Sequence, residues 1–212
     1  EIAALTTPPD DDGTVRITLK VTEDCIQKKA VVYDGDEDEH YDTISAFIKS
    51  MRGSDVDASL YWLAKMIHAG EDPRFIARRI VIHAAEDVGL ADPMALVLAN
   101  AAFQAAEFIG WPEARIPIAE AAIYIAGANK SNSVIKAIDA ALADVRSRKT
   151  IPVPSHLKDS HYSGAEKLGN GEGYKYSHDF PGHFVAQDYL GVVRRFYEPT
   201  EQGVEKKDQG PG

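Results

Sequence analysis

Several things are scarce in this chain. Among its 212 residues there is one cysteine, Cys25, so no internal disulfide can form, which fits a reducing compartment. No apolar run has the length that spans a bilayer, and no charged-then-apolar leader opens the sequence. Basic residues are outnumbered, 23 against 33 acidic, for a net charge of −10. Such a surface repels nucleic acid overall, so any DNA contact needs a local basic patch. Glycine-rich turns of the phosphate-binding kind are also missing. Gly127-Ala128-Asn129-Lys130-Ser131 comes nearest, but Tyr124 and Asn129 stand where that loop needs glycine. The run reads as a helix end, a turn and a new helix start, and no nucleotide is expected to bind this chain. Residue 1 is Glu, not Met, which leads us to expect an excised piece of a longer protein.

What is present is a globular composition, 44% hydrophobic and 26% charged. The first segment is mixed. Pro8-Pro9-Asp10-Asp11-Asp12-Gly13 is a loop signal. Val15, Ile17 and Leu19 alternate with polar residues and predict a short strand. Thr22 caps a short predicted helix over residues 23–30, and the acidic run Asp34 to Glu39 reads as a solvated linker.

A helical body follows, to about Arg148. Ile44, Phe47, Ile48 and Met51 make one apolar stripe, and Leu60, Leu63, Ala64 and Ile67 make another. Gly70 stops the second helix, then Asp72 and Pro73 start the third. Gly89, Asp92 and Pro93 repeat the device. Gly110 ends the fourth helix, Pro112 begins a fifth that stops at Gly127, and Ser131 or Ser133 opens a sixth with Ile135, Ile138, Leu142 and Val145 on one face. The fourth and fifth helices are rich in alanine, which permits close helix approach. From Thr150 onward glycine and proline prevent long helices, yet Tyr162, Tyr174, Tyr176, Phe180, Phe184, Tyr189, Phe196 and Tyr197 crowd the segment. These rings predict a loop-rich extension anchored by its aromatics. The last residues, Glu205 to Gly212, read as disordered.

Chemistry is sparse. His178, Asp179 and His183 lie close in sequence, but their spacing does not specify a metal site, and no metal is expected. Asp72 of the pair Glu71-Asp72 is accounted for as a cap. Asp87 suits a buried partner for Arg78 or Arg79, or an interfacial ion. No nucleophile accompanies these carboxylates, so no catalytic residues are assigned. Arg52, Arg78 and Arg79, with Lys49, form the candidate DNA-contacting patch, although paired structural arginines are the commoner use. Tyr61 and Trp62 lie beside the second stripe and are the candidate oligomer-interface residues.

Long ordered stretches resemble the C-terminal region of the RarA/MgsA replication-associated recombination AAA+ ATPase family, related to the Werner-helicase-interacting protein. They include His40-Tyr41-Asp42, Ser50-Met51-Arg52-Gly53-Ser54-Asp55, Leu60-Tyr61-Trp62-Leu63-Ala64, Ala69-Gly70-Glu71-Asp72-Pro73 and Ile76-Ala77-Arg78-Arg79. Farther on stand Glu86-Asp87-Val88-Gly89-Leu90-Ala91-Asp92-Pro93, Lys130-Ser131-Asn132, Pro154-Ser155-His156-Leu157 and Tyr174-Lys175-Tyr176-Ser177-His178-Asp179. The likeness runs from about Gly13 to about Glu205, with Asn129 and Gly191 where the family often has proline.

The resemblance implies an all-α bundle like the clamp-loader collar. Residues 1–35 would be the end of the AAA+ lid and a linker, 36–150 the helical oligomerisation domain, and 151–212 the loop-rich extension docked on it. It implies a homotetramer belonging to a DNA-dependent ATPase at stalled replication forks, cytoplasmic and nucleoid-associated. Single-stranded DNA, its binding protein and the sliding clamp would be partners of the whole protein. ATP and Mg belong to its N-terminal module, so this chain itself is not expected to be an enzyme. A DNA-binding or protein-recruitment module built on Arg52, Arg78 and Arg79 is the alternative.

Overall fold

A computed structural model describes residues 18–19, 37–161 and 168–205. The strand expected over Val15 to Leu19 and the helix over 23–30 fall outside these residues, except that Leu19 is helical. Six α-helices carry the fold: α1 (Glu37–Arg52), α2 (Val56–His68), α3 (Pro73–His83), α4 (Met94–Ile109), α5 (Arg115–Gly127) and α6 (Ser133–Ser147). No strand occurs among the described residues. The all-α expectation is met.

Helix boundaries follow the local chemistry. Asp55 accepts a hydrogen bond from the Ala58 amide at 2.9 Å and caps α2. Gly70, at φ +80°, ends α2. Its amide donates to Ile67 O and that of Glu71 to Met66 O, both at 3.0 Å, the paired bonds of a left-handed glycine cap. Asp72 then accepts from the Arg74 amide at 2.8 Å, with Pro73 in the first position of α3.

Beyond His83 the backbone widens into a π-turn (Ala84–Val88) and tightens into a 3-10 turn (Gly89–Ala91) before Asp92 accepts from the Met94 amide at 3.1 Å. Pro112 does not start α5 as expected. It lies in a turn, behind a cis Trp111-Pro112 bond, where the Ala114 amide reaches Gly110 O at 2.8 Å. The helix begins at Arg115, and Pro117 occupies a first-turn position that needs no amide.

Internal contacts divide the chain into two compact units, residues 1–132 with 202–204, and residues 133–201 with 205–212. The boundary expected at 150 falls inside the second. In the first unit α5 packs against α1, α2, α3 and α4. This central place explains why α5 has no polar face: Ile118, Ala121, Ala122, Ile125 and Ala126 are all buried. Phe47 and Met51 of α1, Leu63 and Met66 of α2, and Ile76 and Ile80 of α3 complete the core. On α4 the fully buried residues are all alanine, Ala95, Ala99, Ala102 and Ala106, with Leu98 half-buried against the core, while Met94, Val97 and Phe108 face outward. Residues 202–204 also belong here. The Val204 amide donates to Ala91 O at 2.8 Å, and Gly203 lies so close that a Cβ would meet that oxygen at 2.1 Å.

The second unit holds α6 and irregular chain with short 3-10 turns, among them Ser155–Leu157, Ser177–Asp179 and Pro181–His183. Polar ties organise it. Asp144 pairs with Arg148 at 3.2 Å and with Arg194. Buried Glu205 accepts from Ser133 Oγ, from Tyr197 Oη at 2.8 Å and from the Thr200 amide at 3.1 Å. Of the rings expected to anchor this segment, Tyr174, Tyr176, Phe180, Phe184 and Tyr189 are exposed, Phe196 and Tyr197 are half-buried, and Tyr162 lies outside the described residues.

Candidate interaction surface

Two features of the first unit lie outside ordinary core packing. The first is a buried ion cluster. His83 Nδ1 donates to Asp87 Oδ2, a carboxylate being acceptor only. Arg52 Nε donates to Asp87 Oδ1 at 2.7 Å, and Arg52 Nη2 lies 3.4 Å from Glu86 Oε1. Burial pushes the Asp87 carboxyl up, but the bonds from His83 and Arg52 outweigh it and hold the group below its usual range. The Asp87 carbonyl also accepts from the Ser131 amide at 2.8 Å. Nearby, Lys130 Nζ donates to Ala126 O at 3.0 Å, Ala128 O at 2.6 Å and Ser54 Oγ at 3.0 Å. It caps the negative end of α5, as the helix-end reading of this run anticipated. Burial lowers its pKa, partly countered by the Asp87 charge.

Asp87 therefore has Arg52 and His83 as partners, not Arg78 or Arg79. Arg79 lies over the Phe75 ring at 5.4 Å, and Arg78 Nε approaches Arg74 O at 3.4 Å. Arg52, proposed from sequence for DNA, faces two carboxylates that neutralise it. His178 Nδ1 and His183 Nδ1 meet at 3.3 Å. Among the described residues, no group of three or more His, Cys, Asp or Glu side chains is arranged to hold a metal ion.

The second feature is an apolar groove of about 730 Å³ between α2 and α5. Leu60, Leu63, Ala64 and Ile67 form the α2 wall. Ile116, Ala119, Ile123 and Tyr124 form the α5 wall, with Arg115 and Glu120 at its rim. Ile116 is 61% exposed and Ile123 43%, high values for isoleucines on a central helix. Tyr124 is fixed by its hydroxyl, which donates to Asp92 Oδ2 at 2.7 Å. Of the two interface candidates on α2, Tyr61 is 65% exposed, whereas Trp62 is half-buried, edge-on to Tyr61 at 5.0 Å and packed against the core. Sequence reading found the α2 stripe but not the α5 wall, because α5 is apolar all round and its outward face has no distinguishing period.

A family model described as MgsA AAA+ ATPase C terminal matches residues 53–210, and one described as AAA C-terminal domain matches residues 1–52. The chain belongs to the MgsA AAA+ ATPase C-terminal family. An uncharacterized AAA domain-containing protein of Mycobacterium tuberculosis is 52% identical over 197 residues, 92% of this chain and 44% of that protein. Replication-associated recombination protein A of Bacillus subtilis is 49% identical over 206 residues, 96% of this chain and 49% of that protein. ATPase WRNIP1 of Dictyostelium discoideum is 40% identical over 182 residues, 84% of this chain and 21% of its own length. The chain thus spans about half the length of the first two of these relatives. The MgsA-type match covers the ion cluster apart from Arg52, the groove and the second unit as far as residue 210, whereas Arg52 is the last residue of the other match.

Proposed function

We propose that this chain is the self-association region of a DNA-dependent AAA+ ATPase acting in DNA replication, recombination and repair at stalled forks. The observation that carries the self-association is the inversion on α4: alanines fill its core stripe while Met94, Val97 and Phe108, the last 92% exposed, face water. A helix that buries its small residues and exposes its large ones has a second partner to find. The groove between α2 and α5 is a second apolar face. Closed dihedral symmetry needs two different self-complementary faces, and two such faces support a tetramer. The names of relatives, Replication-associated recombination protein A and ATPase WRNIP1, support the replication and ATPase roles. ATP and Mg would serve the ATPase module of the whole protein. Single-stranded DNA, its binding protein and the sliding clamp would be the whole protein's partners. Light scattering coupled to size-exclusion chromatography tests the reading: four chain masses at micromolar concentration are expected, and a monomer defeats it.

A further inference from the structure

We infer that the groove between α2 and α5 is one of the self-association faces, and that its occupant is the same groove of a second copy, with the two α5 helices antiparallel across a two-fold axis. The inference rests on the self-association proposed above and adds its geometry.

The α5 wall is symmetric about its own middle. Ile116 and Ile123 stand seven residues apart, two helical turns, with Ala119 and Glu120 between them. A two-fold axis midway between Ala119 and Glu120 sets Ile116 level with the partner's Ile123, and Ile123 level with the partner's Ile116. Ala119, having only a methyl group, lets the helices approach at the crossing. Each isoleucine ridge then enters the other copy's groove against Leu60, Ala64 and Ile67. The product is a four-helix bundle of two α2 and two α5 helices, a standard way of burying two-helix faces.

Charge selects a second copy over an unrelated partner. This rim carries one cation and one anion, Arg115 and Glu120, both exposed. With the axis at the helix midpoint, Arg115 and the partner's Glu120 are offset by about 6 Å along the axis, within the reach of the two side chains. The symmetric contact forms at the same time. The face is thus neutral and self-complementary in a chain of net charge −10, where a contact between like-charged patches of two copies would be opposed.

The test uses the 212-residue chain and four variants: Ile116→Arg, Arg115→Glu, Glu120→Arg and the double reversal of Arg115 and Glu120. Ile116→Arg should halve the mass of the assembly, because it breaks one two-fold and leaves the other face intact. Each single reversal should weaken the association about tenfold, and the double reversal should restore it. Circular dichroism and the melting temperature establish that each variant is folded; all three sites are exposed. A wild type that self-associates, with variants indistinguishable from it, overturns the groove assignment and leaves the self-association reading standing. Single reversals that weaken association without rescue by the double reversal also overturn it, since the face would then meet a different surface. A monomeric wild type defeats both, and the groove would then serve another protein.

Discussion

Arg52 Nε donates to Asp87 Oδ1 at 2.7 Å, joining the last residue of α1 to the π-turn that follows α3. The two are 35 residues apart in sequence. Asp87 also holds buried His83 and, through its carbonyl, the Ser131 amide that leads into α6. One residue thus ties α1, the end of α3 and the approach to α6 together, the first two through its carboxylate and the third through its carbonyl.

Replacing Asp87 by alanine should cost about 3 kcal/mol, because a buried imidazole donor and a guanidinium lose their acceptor together. Arg52→Ala should cost only about 1 kcal/mol, since Arg52 is half in solvent and His83 still satisfies Asp87. Urea unfolding of the two variants gives the comparison. Equal losses would mean that His83 adds nothing.

The same site predicts an acid dependence. The folded-state pKa of Asp87 is lowered, so the unfolded chain binds this proton more tightly. The stabilisation is complete above about pH 4 and is lost as pH falls through the lowered value. The stability gap between the wild type and Asp87→Asn should therefore shrink below about pH 4, as followed by unfolding at successive pH values.

Lys130→Met removes the donor that caps α5 and reaches Ser54. A loss of about 1–2 kcal/mol is expected, a drop of roughly 3–6 °C in melting temperature for a chain of this size. Calorimetry measures it directly. An unchanged melting point would mean that water caps α5 equally well.

Ala122→Leu should destabilise by about 3 kcal/mol, because Ala122 lies on the fully buried side of α5 and has no room for three more carbons. Ala101→Leu, on the exposed side of α4, should fold with a melting temperature near that of the wild type. Thermal melts of the pair separate crowding from a general intolerance of leucine.

Gly203→Ala places a methyl group against Ala91 O at a position with φ +56°. Residues 202–204 should detach locally, and the Val204 amide should exchange with solvent many times faster while the core amides keep their protection. Hydrogen exchange read by NMR resolves the two.

Much of the helical body could be read from local chemistry. Gly70, Asp72 and Pro73 act through their own backbone preferences, so their effect is written in sequence. The stripe of α1 points inward as its periodicity says, whereas that of α2 lines the open groove, with only Leu63 of it fully buried. What escaped the reading is non-local. The partner of Asp87 was sought at Arg78 or Arg79, nearby in sequence, but the packing of α1 against the following helices brings Arg52 instead. The π-turn at 84–88 has no residue signature, since its sequence also suits an α-helix. Pro112 looked like a helix start because proline favours that position, but the turn from Gly110 to Ala114 delays the helix to Arg115. Alanine content in α4 identified a close contact but not its side. The alanines face inward, which leaves the bulky residues outside. In the second unit, ring density suggested burial, whereas Asp144 and Glu205 carry the ties.

The enclosed position of α5 also governs the order of events during synthesis. Helices α1 to α4 each pack a surface against residues 115–127. Hairpins of neighbouring helices can form as they leave the ribosome, because their contacts are local. Their inner faces stay open until Gly127 has emerged, and closure is then a single late step. A nascent chain stalled before Gly127 has emerged leaves those inner faces uncovered, and that short interval of translation is where a chaperone has much to protect.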